Sequence, residues 1–189
     1  FVLSPTFASD YYVDAVNGSD ETGDGSQTNP WKKLQFAIDS ITGTAENPHT
    51  IHLAPGHYGP GGSGDQLGIY MHSYCQIIGL GVNTSLDFLR IGSVHAYSAH
   101  HTTVCNIKTR YIKINNGSDN VTITNCFFAA DQTALNLANG SSCRVLNSNF
   151  CNCKVSISVY SDCSLEMWNC VLFQCEDKFF FFVVEEIVL

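Results

Sequence analysis

The sequence predicts an all-β fold, a single-stranded parallel β-helix of about six to seven coils, with a capping α-helix near residues 30–42. The first observation is an apolar pair, two residues apart, that returns at a nearly constant step. Leu67/Ile69, Leu89/Ile91, Ile112/Ile114, Leu135/Leu137 and Ile157/Val159 follow at 22, 23, 23 and 22 residues, and a further 22 reaches Phe179/Phe181. A separation of two puts both side chains on one face of a strand. A period of 22–23 is too short for helical-hairpin repeats and fits one turn of a strand solenoid, whose coils must stack about 4.8 Å apart to bury that face. The second observation is a parallel column. Val121, Ile123, Asn125 and Phe127, taken as one strand, align with Arg144, Leu146, Ser148 and Phe150, then with Leu165, Met167, Asn169 and Val171; Arg144 is the misfit. The third is a recurring corner: Asn116-Gly117-Ser118, Asn139-Gly140-Ser141 and Ser161-Asp162. Asn and Gly tolerate the positive φ that such corners need. Two strands and a corner per coil are therefore expected. An antiparallel sandwich also has short strands, but its hairpins impose no constant period over four steps.

Taken in order, residues 1–10 read as a signal-like or extended segment, with small Ala8 before Ser9-Asp10. The β-helix domain is expected over 11–178. Tyr11-Tyr12-Val13-Asp14 reads as a strand, and residues 17–26 as a loop. Asn29 is expected to cap a helix with Pro30 at its first position, and Trp31, Leu34, Ala37, Ile38 and Ile41 fall on one helical face. Such a helix would shield the open first coil. The glycine-rich stretch 59–64 reads as a corner. Residues 179–189 form an apolar tail: Phe179, Phe180, Phe181 and Phe182 give it two apolar faces, the signature of an assembly element. No run reaches the 18 apolar residues of a membrane span.

Residues 11–41 (Tyr-Tyr-Val-Asp, Gly-Ser-Asp, Gly-Asp-Gly-Ser, Asn-Pro-Trp-Lys, Leu-Gln-x-Ala-Ile) resemble the N-terminal block of secreted pectin-lyase-like β-helix proteins. Ile51-His52-Leu53-Ala54-Pro55-Gly56-His57-Tyr58 resembles their first coil. The resemblance implies a right-handed helix and a link to polysaccharides. Its members include lyases, hydrolases, epimerases and non-catalytic surface proteins, so it implies a fold and not a reaction. The catalytic signatures of polygalacturonases are absent: there is no Asn-Thr-Asp, Asp-Asp, His-Gly or Arg-Ile-Lys.

The net charge of −8, with nine Lys and Arg, argues against nucleic acid and anionic membrane surfaces. Nine Cys point to an oxidising, extracellular setting. Their spacings suggest cross-coil disulfides Cys105–Cys126, Cys143–Cys163, Cys153–Cys175 and Cys151–Cys170, with Cys75 left over. Five sequons, at Asn17, Asn83, Asn116, Asn120 and Asn139, suggest glycosylation of a secreted chain, although Asn-Gly-Ser is also simple turn chemistry.

Candidate chemistry lies two residues before the leading apolar positions. Asp65, Asp87 and Arg110 recur at 22 and 23, which would stack two carboxylates beside a guanidinium. That separation suits a glycosidase pair or a Ca²⁺ site; a salt-bridge ladder at a corner is the plainer reading. No other cofactor is expected. His72 and His95, 23 apart, with His100 and His101, would be the only zinc candidates, and no carboxylate is in register with them. Tyr70, Tyr97 and Tyr111 are candidate stacking faces for a glycan. Three functions follow: a secreted structural or adhesive module that self-associates through its ends, a polysaccharide lyase or glycosidase, and a non-catalytic glycan-binding module. The missing catalytic set, the Cys count, the sequons and the apolar tail place the structural module first.

Overall fold

A computed structural model describes residues 9–81, 83–92, 98–160, 162–181 and 187–188, with side chains placed through residue 178. The chain is a parallel β-solenoid of about six turns with very little helix. Each full coil carries three strand segments, not two. The first face stacks β1 (Ser9–Val13), β2 (His49–Leu53), β5 (Cys75–Gly79), β7 (Thr103–Cys105), β9 (Val121–Thr124), β12 (Ser142–Leu146), β15 (Ser164–Trp168) and β18 (Ile187–Val188). The second stacks β3 (Gly56–Tyr58), the leading halves of β6 (Thr84–Ile91) and β8 (Lys108–Ile114), then β10 (Phe127–Phe128), β13 (Asn149–Cys151) and β16 (Val171–Phe173). The third stacks β4 (Ile69–Met71), the trailing halves of β6 and β8, then β11 (Thr133–Leu137), β14 (Val155–Val159) and β17 (Asp177–Phe181). Every pairing between these strands is parallel, as neighbouring turns of a solenoid require.

The third face confirms most of the periodic pair. Leu89, Ile112, Leu135, Ile157 and Phe179 align in one row, and Ile91, Ile114, Leu137, Val159 and Phe181 in the next. The first member is corrected: Ile69 pairs with Leu89 and Met71 with Ile91, while Leu67 is 64% exposed. The second column slips by one. Val121 stacks on Cys143 and Leu165, and Ile123 on Val145 and Met167. Arg144 is therefore an outward residue paired with Glu166 at 2.9 Å, because a slip of one exchanges the two faces of a strand. After the corner, Phe128, Phe150 and Leu172 share a row; the Phe128 and Phe150 rings lie parallel in the core, centroids 4.4 Å apart.

The first corner is an asparagine ladder. Asn106, Asn125, Asn147 and Asn169 all have φ between 48° and 56°, the left-handed region that Asn accepts more readily than branched residues. Asn169 Nδ2 donates to Asn147 Oδ1 at 2.8 Å. Asn116, Asn139 and Asp162 form the corner before the first face in the same way, at 58°, 56° and 61°.

The helix α1 (Leu34–Ser40) is shorter than expected and starts four residues later. Asn29 does not cap it: its N–H goes to Ser26 and its Nδ2 to the Thr22 carbonyl, in a turn. Leu34, Ala37 and Ile38 enter the core. Among the described residues no helix is long and apolar enough to cross a membrane.

Candidate functional site on the second face

Alternation along β6 and β8 decides what reaches solvent. Thr84, Leu86, Leu89 and Ile91 point inward, so Ser85 and Asp87 point outward on the second face and Arg90 on the third. In β8, Thr109 and Ile112 are buried, which leaves Lys108 and Arg110 outside. His57 on β3 sits level with Ser85, which sits level with Lys108. Asp87 lies level with Arg110, since Leu86 pairs Thr109 and Phe88 pairs Tyr111.

These positions make contact. His57 Nδ1 is 3.1 Å from Ser85 Oγ, and His57 Nε2 is 3.2 Å from Asp87 Oδ2. One imidazole thus bridges a hydroxyl and a carboxylate. Space for the bridge comes from Gly59: a Cβ there would lie 2.5 Å from Asp87 Oδ2 and 3.3 Å from His57 Nε2. Beside the bridge, Arg110 reaches Asp131 at 3.4 Å, and Lys108 Nζ lies 5.9 Å from the centroid of the Phe127 ring. At the corner into the third face, Phe88 and Tyr111 meet edge to face at 5.1 Å. A shallow cleft with the bridge and the two cations in its walls runs from the Phe127 corner to the Tyr111 corner. On the third face Arg90 covers the Tyr70 ring at 5.6 Å and stands level with Lys113. Arg90 Nε is buried without a hydrogen-bond partner.

The expected carboxylate pair is corrected. Asp87 and Arg110 are neighbours, but the residue stacked before Asp87 is Gly59, not Asp65. Asp65 is 2% exposed and accepts from the N–H groups of Leu34 (3.0 Å) and Gln35 (2.8 Å) and from the Ser63 hydroxyl. It holds the first turn of α1, where a carboxylate suits the unpaired N–H groups. Neither a glycosidase pair nor a Ca²⁺ site built on Asp65 and Asp87 survives this placement.

The histidines are not gathered. His72 lies 3.9 Å from Asp39, His100 bonds Asp119 and Ser98, and His101 stacks on Tyr74; His95 and Tyr97 lie outside the described residues. All nine cysteines are free. Cys143 aligns with Leu165 rather than Cys163, Cys151 with Phe173 rather than Cys170, and Cys105 with Thr124 rather than the buried Cys126. Cys153 and Cys175 alone are level, two residues before the Val155–Asp177 pair. Burial pushes the Cys75 and Cys126 thiols up to about 12 and raises that of Cys143 as well.

Of the sequons, Asn83 and Asn120 are exposed. Asn116 Nδ2 is buried, Asn139 Nδ2 donates to Asn115 Oδ1 at 2.7 Å, and Asn17 Nδ2 to Asp14 Oδ2 at 3.0 Å. Phe179, Phe180 and Phe181 lie in β17; Phe182 is outside the described residues.

His57 and Ser85 escaped the sequence reading for a physical reason. They are 28 residues apart, because the glycine-rich loop after β3 lengthens that turn beyond the repeat. The available signal was Ser85-x-Asp87 on one strand face, level with the histidine of Pro55-Gly56-His57-Tyr58. Compared with protein-family models, curated proteins and solved structures, the chain matches none.

Proposed function

We propose that this chain is an extracellular β-solenoid that binds an acidic polysaccharide across β6 and β8. The observation that carries the reading is charge placement. In a molecule of net charge −8, four of the nine Lys and Arg (Arg90, Lys108, Arg110 and Lys113) lie on these two adjacent strands. Arg90 and Lys113 oppose each other directly, an arrangement that costs stability until an anion sits between them. Phe127 at one end of the second-face cleft, and Phe88 and Tyr111 at the other, supply apolar faces for sugar rings. The resemblance of residues 11–41 to pectin-lyase-like proteins supports the same substrate class, a right-handed winding and a shielding role for α1. The test is affinity electrophoresis or calorimetry with polygalacturonate against a neutral glucan. Binding should weaken with salt, and Lys108→Ala with Arg110→Ala should weaken it about tenfold or more. Equal retention of the neutral glucan would remove the reading.

Self-association is the second proposal. β16 and β17 end their sheet, with no further strand on their outer edges among the described residues, and Trp168, Val171 and Phe173 near them are more than half exposed. Open strand edges accept another strand. Light scattering across a concentration series tests it, and a constant monomer mass would end it.

A further inference from the structure

We propose that His57, Ser85 and Asp87 form a hydrolytic triad that cleaves ester groups carried by the bound glycan. The substrate part of this inference rests on the acidic-polysaccharide reading; the catalytic part rests on geometry alone.

Ser–His–Asp chemistry needs an imidazole with one nitrogen at a hydroxyl and the other at a carboxylate. His57 has both, at 3.1 Å and 3.2 Å. Asp87 accepts from Nε2–H, which leaves Nδ1 unprotonated and facing Ser85 Oγ–H. The three groups come from parallel strands whose positions are locked by buried neighbours: Tyr58 and Leu86 are level with each other and fully buried. Gly59 keeps open the space in which Asp87 and His57 meet. Nothing in the packing of the coil needs this bridge, since all three side chains are on the outer surface.

The step balances without a cofactor. Ser85 Oγ adds to the ester carbonyl carbon as its proton passes to His57 Nδ1, and the C=O electron pair moves onto oxygen. Lys108, level with Ser85 on the next strand at the ~4.8 Å strand spacing, faces that developing oxyanion. The carbonyl re-forms, the C–O bond of the leaving alcohol breaks, and His57 returns the proton to that oxygen. Water, deprotonated by His57, then attacks the acyl-serine and releases the carboxylic acid and Ser85. Asp87 stays ionised and stabilises the imidazolium in both halves. Esters of an acidic glycan, O-acetyl or methyl, are the matching class.

The experiment uses the purified chain with 4-nitrophenyl acetate and a fluorophosphonate probe, and measures polygalacturonate binding in parallel. The wild type should release 4-nitrophenol and carry the probe on Ser85 by peptide mass spectrometry. Ser85→Ala and His57→Gln should lower turnover by ~10²-fold or more while keeping the melting temperature and glycan binding. Gly59→Ala, which pushes Asp87 from the imidazole, should lower kcat with little change in KM. Turnover and labelling without glycan binding would uphold the triad and overturn the polysaccharide reading. Glycan binding with neither turnover nor labelling, or labelling that persists in Ser85→Ala, would overturn the triad.

Discussion

Replacing Asp65 by Ala separates a structural carboxylate from a chemical one. The Lys33 side chain makes no cap bond, so the first N–H groups of α1 depend on Asp65. The substitution removes two charge-assisted acceptors from buried donors and leaves the Ser63 hydroxyl without its carboxylate partner. Hydrogen bonds to charged groups contribute about 1.5–3 kcal/mol each, and part of that returns when water enters the vacated space. A net loss of about 3–4 kcal/mol follows, a large fraction of the 5–15 kcal/mol typical of a domain. With an m-value of about 2 kcal/mol/M, the urea midpoint followed by far-UV circular dichroism falls by about 1.5–2 M. Asp65→Asn keeps one acceptor oxygen and should lose about half as much. Ester turnover and glycan binding, measured below the transition, should be unchanged. An unmoved midpoint together with lost turnover would refute the reasoning and return Asp65 to the chemistry.

Phe150→Ala opens the middle of the solenoid beneath the Phe128 ring and should cost about 3–5 kcal/mol, read as a lowered denaturation midpoint. Alkaline stability follows from the buried thiols. Burial raises the folded-state pKa of Cys75 and Cys126 from about 9 to about 12, so the folded chain holds its protons longer than the unfolded one. Stability is intact below about pH 9 and falls as pH rises toward 12, by roughly 1.4 kcal/mol per thiol per unit; Cys126→Ala should flatten that fall in thermal melts taken between pH 8 and 11. Mild oxidation should join Cys153 to Cys175 before any other pair, because only these two are level; peptide mapping that finds Cys143–Cys163 first would contradict the register. In material from a eukaryotic secretory host, glycan should occupy Asn83 and Asn120 and be absent from Asn116, whose amide nitrogen is buried.

The third face was legible because its rows are monotonously aliphatic: Leu89, Ile112, Leu135 and Ile157 differ in shape but not in polarity, so the step alone exposes them. The other faces were not, because their inward rows mix types. Cys143 stands between Val121 and Leu165, and Ser148 between Cys126 and Cys170. A periodicity search weighted toward hydrophobic residues passes over Cys and Ser and moves to the neighbouring Arg144 and Leu146, which is how a one-residue slip arises. The start of α1 was misplaced for a related reason. Asn29-Pro30 carries the local signal of a helix start, but the capping group is Asp65, 31 residues beyond Leu34, and no local signal reports a cap supplied from another coil.

The same contrast explains where function could hide. Solenoid packing constrains the inward rows and the corners, and these are what a repeat reveals. Outward rows are free of the period, so the first coils can carry His57, Ser85, Asp87, Lys108 and Arg110 where later coils at the same rows carry Phe127, Ala129, Asn149, Cys151, Val171 and Phe173. Departure from the repeat, rather than agreement with it, marks the chemistry. By that criterion the lengthened turn after β3 is the informative irregularity: it brings a histidine from 28 residues away beside Ser85 and leaves Gly59 where a side chain would have kept His57 and Asp87 apart.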